Sequence, residues 1–586
     1  MNDIRRTILW VIFGFSMVLL WDQWQVYNGN KATFFPTPAK QGASAAHAPA
    51  TPSSVPSSGT ASNAPPSTTA ATAGAVPGAP APAAGATAPK GEKITVTTDV
   101  LRLTFDTEGG SLVRTEFLKQ SGDNDTGTFV LLDDVPGHKY VAQTGLIDGT
   151  ELPTHKTVMT FTGDRTLKDG ADQLTVRFES PAQGGVKLVK TYTLKRSAYD
   201  AAVRHEVVNV GTAPVSPKLY LQLVRDGTPV VTHIPAPKLL RLFGYENMPS
   251  FYSTFTGPAV YTEGKKFQKV DFKDIEKGKA DSDYEHESNG GYVAMVQHYF
   301  ASAWILPEGV KRELFVRKLD ENLYSVGMID PLGAIAPGAT KAVDAKFYAG
   351  PQQEKLLEQI APGLELVKDY GWLTILAKPL YWLLTQLHSV IQNWGWSIMA
   401  LVLTIKIAFY WLQAKGYESM AKMKAINPKI MAMRERLKDD PQKMQQEMMR
   451  IYREEKVNPM GGCFPIMIQI PVFIALYWVL LASVEMRGAP WVGWIHDLSA
   501  PDPYFLLPLV MTCTTLLQTA LNPAPPDPMQ AKLMWFMPLA FSVMFFFFPA
   551  GLVLYWITNN VLSIAQQWLI NKRMGVPPQF NLPKFR

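Results

Sequence analysis

Cysteine is almost missing from this sequence: 586 residues contain two, Cys463 and Cys513, and both fall in apolar runs. Two thiols placed this way exclude a disulfide framework and are too few for a zinc site. They read as small buried apolar side chains. Charge is also sparse, at 18% of residues against 47% hydrophobic, and the formal net charge is only +6. That balance gives no reason to expect specific nucleic-acid binding. No nucleotide-binding motif and no internal repeat is present. The apolar residues are distributed unevenly. The middle of the chain is polar and alternating, and the last third is dominated by long apolar runs. This pattern predicts a membrane protein with a large soluble insert rather than one globular domain.

Residues Thr7–Trp21 form an apolar run behind Arg5 and Arg6. A cleaved signal peptide and an uncleaved anchor both fit. The anchor, within residues 1–27, is favoured because Asp22, Gln23, Trp24 and Gln25 follow in place of a small-residue cleavage site. Five more apolar segments follow late in the chain: Trp396–Gln413, Cys463–Ser483, Tyr504–Leu521, Met534–Phe548 and Leu552–Ile570. Each is close to the ~20 residues that span ~30 Å of hydrocarbon, although the fourth is short. Phe548-Pro549-Ala550-Gly551 turns the last two into a hairpin. The loop Lys415–Lys456 carries eleven Lys or Arg residues, the loop Val484–Pro503 carries one, and the tail 573–586 is basic. With the N-terminus in the cytoplasm, six spans put every basic loop and the C-terminus inside. Residues 24 to about 393 then lie outside.

Residues 28–92 are rich in Ala, Pro, Ser, Thr and Gly and read as a disordered tether. From Lys93 the sequence alternates, as in ITVTTDVLRLTFD, QLTVRFES and KLYLQLV. Period-two apolarity over residues 93–350 predicts an all-β sandwich. Its His205, His286 and His298, with Glu206 and Glu285, show no spacing that demands metal or nucleophilic chemistry. His298 reads as a core or turn residue. Residues 351–395 include Trp372–Gln392, apolar on much of its circumference but interrupted by Lys378, Pro379, Gln386 and His388. That segment suits an interfacial helix on the outer leaflet better than a span.

Within the core, residues 396–572, Lys406 is the most informative residue, because a charge inside an apolar helix costs ~2.5–3.5 kcal/mol on insertion scales. One reading has it snorkelling to the inner headgroups. The other has it facing a water-filled cavity among the helices. Gln469 interrupts the second late segment, and Trp556, Asn560, Ser563 and Gln567 share one face of the last, flanked by Asn559 and Gln566. These neutral groups are either inter-helix hydrogen bonds or, with Lys406, the lining of a hydrated groove. The short fourth segment favours local bilayer thinning. The region 415–459 predicts two helices, 417–437 and 441–452, containing Met420, Met423, Met431, Met433, Met444, Met448 and Met449. Adaptable methionines beside basic residues suit a hairpin that receives diverse apolar chains or touches a ribosome. A self-packed hairpin with a solvated charged face is compatible with both.

The stretches MAKMKAINPKIMAMRERLKDD, KVNPMGGCFPIMIQIPVFIALY, WIHDLSAPDPY, DPMQAKLMWFMP and FPAGLVLYWITNN, with QHYFASAW and FYAGP earlier, resemble the YidC family of membrane protein insertases. The resemblance covers nearly the whole chain except the tether. It implies six helical spans, five forming the core, and a β-supersandwich periplasmic domain similar to sugar-mutarotase domains. It also implies a non-enzymatic insertase or chaperone in the bacterial inner membrane, acting alone or with the Sec translocon. Its partners would be nascent membrane proteins, the ribosome, Sec components and lipid, with no cofactor, metal or specific nucleic acid. Lys406 occupies the family's basic groove position, and Gln469 and the polar face of the last span match other groove positions. Tyr555-Trp556 stands where the family often has Tyr-Tyr. Tyr410-Trp411-Leu412 stands where it often has Tyr-Pro-Leu, so the proline that would kink the helix is missing. A small-solute transporter and an anchored periplasmic carbohydrate enzyme are the alternatives. The first would need repeats around a midplane site. The second would need a converging carboxylate or His–Glu pair.

Overall fold

The computed structural model describes residues 91–575 and Phe580, apart from 123–126, 230–233, 236–240, 242–246, 249–253, 438–439, 456–463 and 523–527. The expected anchor over 1–27, almost all of the tether and most of the basic tail lie outside the described residues.

Two antiparallel sheets, one of ten strands and one of nine, face each other across a common core. The alternation in the sequence sets which side chains enter it. Along Leu101–Asp106, Leu101, Leu103 and Phe105 point in and Arg102 points out. Gln173–Glu179 buries Leu174, Val176 and Phe178 in the same way from the opposite sheet. Each such fully buried side chain contributes ~1.5–3 kcal/mol. The middle strands do not alternate. Tyr292–Gln297 and Phe300–Ile305 are buried at every position. Their second face is covered by a segment that follows the last strand, where Leu357, Ile360, Leu364 and Val367 pack on Ala294, Ala301 and Ala303. That cover leads the chain from the sandwich to the helical region.

Eight helices follow: α1 Thr374–Ile391, α2 Trp394–Ala408, α3 Tyr410–Arg436, α4 Pro441–Glu454, α5 Phe464–Ala482, α6 Leu506–Leu521, α7 Pro528–Met544 and α8 Ala550–Arg573. Helices α1, α2, α5, α6 and α8 share one apolar core that includes Leu384, Leu401, Leu476, Met511 and Leu554. Helix α8 lies against α6, α2, α3 and α5. At its start, the Ala550 and Gly551 amides donate to the carbonyls of Ala500 and Leu498, which ties the hairpin turn to the preceding loop.

Three sequence expectations change here. The segment expected over 396–413 is not one straight span: α2 ends at Ala408, and α3 leaves it at 71°. The fourth late segment is longer than expected, since α7 begins at Pro528 and a 3-10 turn continues it to Phe547. Its 17 residues rise ~26 Å, so its length alone gives little reason for thinning. Cys513 is exposed on α6, not buried; Leu509, Val510 and Leu517 are exposed on the same helix. On α6 polar threonines turn inward to α8 and these apolar side chains turn outward, so apolarity alone does not show which face is buried. Among the described residues no single helix is long and apolar enough to cross a membrane by itself, whereas the bent pair α2–α3 passes that test jointly.

Helices α3 and α4 close on each other around Ile426, Ile430 and Met433. The turn between them is set by Asp440, whose carboxylate accepts from the Lys443 amide at 3.1 Å, with Pro441 in the first helical turn.

Candidate functional site

Lys406 lies in the last turn of α2, and only 7% of it is exposed. Its ammonium donates to Ser563 Oγ on α8 at 2.6 Å and to Gln413 Oε1 on α3 at 3.3 Å. Tyr417 lies beside Ser563. The bend at Phe409 makes this cluster possible. In a straight helix Gln413 would lie ~10.5 Å further along the axis than Lys406, but the turn folds α3 back so that its first residues face the lysine. Both partners of Lys406 are neutral, and among the described residues Lys406 forms no ion pair. A cation held this way in an apolar bundle keeps most of its desolvation cost.

The polar face of α8 divides among three neighbours. Asn560 donates to Thr514 and Thr515 on α6 at 3.2 and 2.8 Å. Gln567 donates to Asn522 Oδ1 at 3.1 Å, at the end of α6. Ser563, between them in sequence, turns to Lys406. Asn559 is buried, and Gln566 reaches the Tyr410 carbonyl at 3.4 Å, across the bend. The one face expected to line a groove thus includes two residues engaged by α6 and one engaged by the lysine.

Nearer the start of α8, Tyr555 lies beside Gln469 of α5. Phe473 of α5 stacks on Tyr555 at 5.9 Å and meets Trp556 edge-on at 4.7 Å, and Phe545 closes on Trp556 at 5.1 Å. Gln469, Tyr555 and Trp556 therefore form a second, aromatic cluster distinct from the lysine cluster. On the hairpin, Met423, Met444 and Met448 pack inside its own core. Met420 is half-buried, Met431 is 54% exposed and Met449 is 47% exposed.

A family model described as the YidC periplasmic domain matches residues 93–383, and one described as the 60Kd inner membrane protein matches residues 386–576. The chain is 55% identical over 576 residues to the membrane protein insertase YidC of Cupriavidus necator, covering 98% of both chains. The chain belongs to the YidC family. The insertase of Ralstonia nicotianae is 53% identical over 575 residues, again covering 98% of each chain. A crystal structure described as an active YidC insertase with its first transmembrane domain resolved aligns with 81% of this chain and 91% of that one, at 19% identity and a TM-score of 0.37.

In this YidC-family chain, two members of the lysine cluster are not identified from the sequence: Gln413 and Tyr417. They were read as the end of a span and the start of a cytoplasmic helix. The signal that links them to Lys406 is a bend without proline or glycine, which helical periodicity does not display.

Proposed function

We propose that this chain is a membrane protein insertase of the bacterial inner membrane, with its β-sandwich in the periplasm. Membership of the family and full-length similarity to curated insertases support that role. The finer reading has six spans, with both termini and the α3–α4 hairpin in the cytoplasm. A nascent membrane protein brings a short polar segment to a hydrated groove bordered by α2, α5 and α8. Lys406, Gln469, Tyr555, Trp556, Asn559, Asn560, Ser563 and Gln567 line it or set its shape. The mechanism involves no covalent step and no cofactor.

The observation that carries this reading is a buried cation with only neutral partners. Lys406 costs free energy where it sits, and an acidic residue of a client would offset that cost by supplying the missing counter-charge. At an effective dielectric of ~20 the attraction at 4 Å is ~4 kcal/mol. Serine and glutamine each accept a single hydrogen bond from the ammonium and carry no charge, so a client carboxylate can displace them. The apolar part of the client then partitions into lipid past α5, driven by burial and the membrane potential. The exposed Met431 and the basic residues of the hairpin are proposed contacts for the client and the ribosome. Cooperation with the Sec translocon belongs to the same reading.

Replacing Lys406 with Ala and with Arg, and measuring insertion of a client with an acidic exported segment, tests the reading. Ala should slow insertion on the order of tenfold, equivalent to ~1.4 kcal/mol, and Arg should restore most of it. Wild-type insertion by a folded Ala variant would refute the charge-attraction step.

A further inference from the structure

The outer end of α5 is held from two sides by groups that play no part in the groove chemistry. On one side is the β-sandwich. His298, in the turn between Tyr292–Gln297 and Phe300–Ile305, donates from Nε2 to the Leu481 carbonyl at 3.0 Å. Val484, two residues beyond α5, is buried with the sandwich core. Arg487 lies over the rings of Phe129 and Phe300, 4.9 and 5.6 Å from their centroids. On the other side are the linker and α1. The Lys368 side chain has no exposed surface, and its ammonium is 3.5 Å from Glu485 Oε2 and 3.8 Å from the Tyr381 ring centroid. Glu485 Oε1 accepts from the Tyr381 hydroxyl at 2.7 Å. Gly371, at φ +66°, leaves room for Trp478 of α5; a Cβ there would stand 3.0 Å from the indole.

Three residues after α5, Val484, Glu485 and Arg487, thus connect the sandwich, the linker and α1. Lys368 and Glu485 come from segments more than a hundred residues apart in sequence, and the pair is an ion pair rather than a directed hydrogen bond. A buried charge pair is weak evidence for stability and better evidence for fixing one arrangement, since every alternative leaves a charge unpaired. Helix α5 also carries Gln469 and Phe473, which contact Tyr555 and Trp556 of α8. Fixing its outer end fixes the aromatic wall of the groove.

We propose that the β-sandwich and the linker that follows it form a brace: through His298, Arg487 and the Lys368–Glu485 pair they clamp the outer end of α5 and so hold that helix at a set distance from α8. Lys368 and Glu485 are positioning residues that need not touch the client. The brace itself is a geometric claim, and only its effect on insertion rests on the insertase reading.

The experiment uses the full chain in proteoliposomes, with Cys463 and Cys513 changed to Ser and spin labels at Thr340→Cys on the sandwich and at the exposed Ile470→Cys on α5. The distance distribution is expected to be narrow in the otherwise native chain. It should broaden in Lys368→Met, which removes the charge but keeps the stem, and in the milder Arg487→Gln. Insertion by the same variants should fall on the order of threefold, with Lys406 intact. A narrow distribution in both folded variants would overturn the brace, and a broadened distribution with unchanged insertion would overturn its effect on insertion. If the unaltered chain supports no insertion, the insertase reading fails while the distance measurement still decides the brace.

Discussion

At the scale of single residues, Lys406 sets stability against function. Its ammonium is buried among Ser563, Gln413 and apolar helices, with no carboxylate beside it. Lys406→Met keeps the volume and removes the charge. Replacing buried charge with well-packed apolar groups is often neutral or stabilising by ~1–4 kcal/mol. The expected outcome is a raised thermal midpoint with a lowered insertion rate, read from unfolding in detergent and from a client-insertion assay on the same preparation. A loss of both would make the lysine a structural residue. The sequence showed this residue because a charge inside an apolar run is conspicuous. It did not show Gln413 or Tyr417, since no local property of either residue reveals a partner across a bend.

At the scale of elements, α8 packs in the apolar core of the bundle and adds polar contacts to α6. Asn560 makes two hydrogen bonds to threonines, each worth ~0.6 kcal/mol between membrane helices. Asn560→Leu should therefore lower stability by about 1 kcal/mol, measured by unfolding in detergent, and leave the Lys406 cluster in place. The sequence placed Asn560 and Ser563 on one helical face, which holds, but a face ~100° wide meets more than one neighbour. The bend after Ala408 was illegible for a related reason. Phe409 has no special propensity, and the turn is fixed by packing of α2 and α3 on α8 rather than by a proline. In the sandwich, alternation identified the strands at its flanks. The two fully buried strands, Tyr292–Gln297 and Phe300–Ile305, depend on a cover that arrives more than fifty residues later. The sandwich also makes a pH prediction. Burial pushes His155 down to about 4 and His205 down to about 3. Both folded values lie below the ordinary histidine value of ~6.5, so the folded sandwich holds the two rings neutral. That stability is complete above ~6.5 and is lost as pH falls toward 4, by on the order of 2 kcal/mol per histidine at pH 5. Denaturant midpoints for the full chain at pH 7.5 and pH 5 should show the sandwich transition moving down. An unchanged midpoint would mean that the rings are charged in the folded state.

At the scale of the whole molecule, the β-domain and the helical bundle meet at the outer end of α5, and Lys406 in the bundle has no ion pair among the described residues. The charge bias of the loops and the composition of the segments made the two-part organisation legible, because both are sums over many residues. How the parts join was not legible, since it rests on single contacts such as His298 to Leu481. The central claim is that water from the cytoplasm reaches Lys406. Lys406→Cys, in a chain with Cys463 and Cys513 changed to Ser, can be challenged in inverted membrane vesicles with a charged, water-soluble thiol reagent. Because Lys406 is only 7% exposed, the account predicts modification slower than at a cysteine on the exposed hairpin, such as Met431→Cys, but clearly faster than at a cysteine facing lipid. Protection equal to that of a cysteine on the apolar surface of α7, such as Val543→Cys, would contradict it.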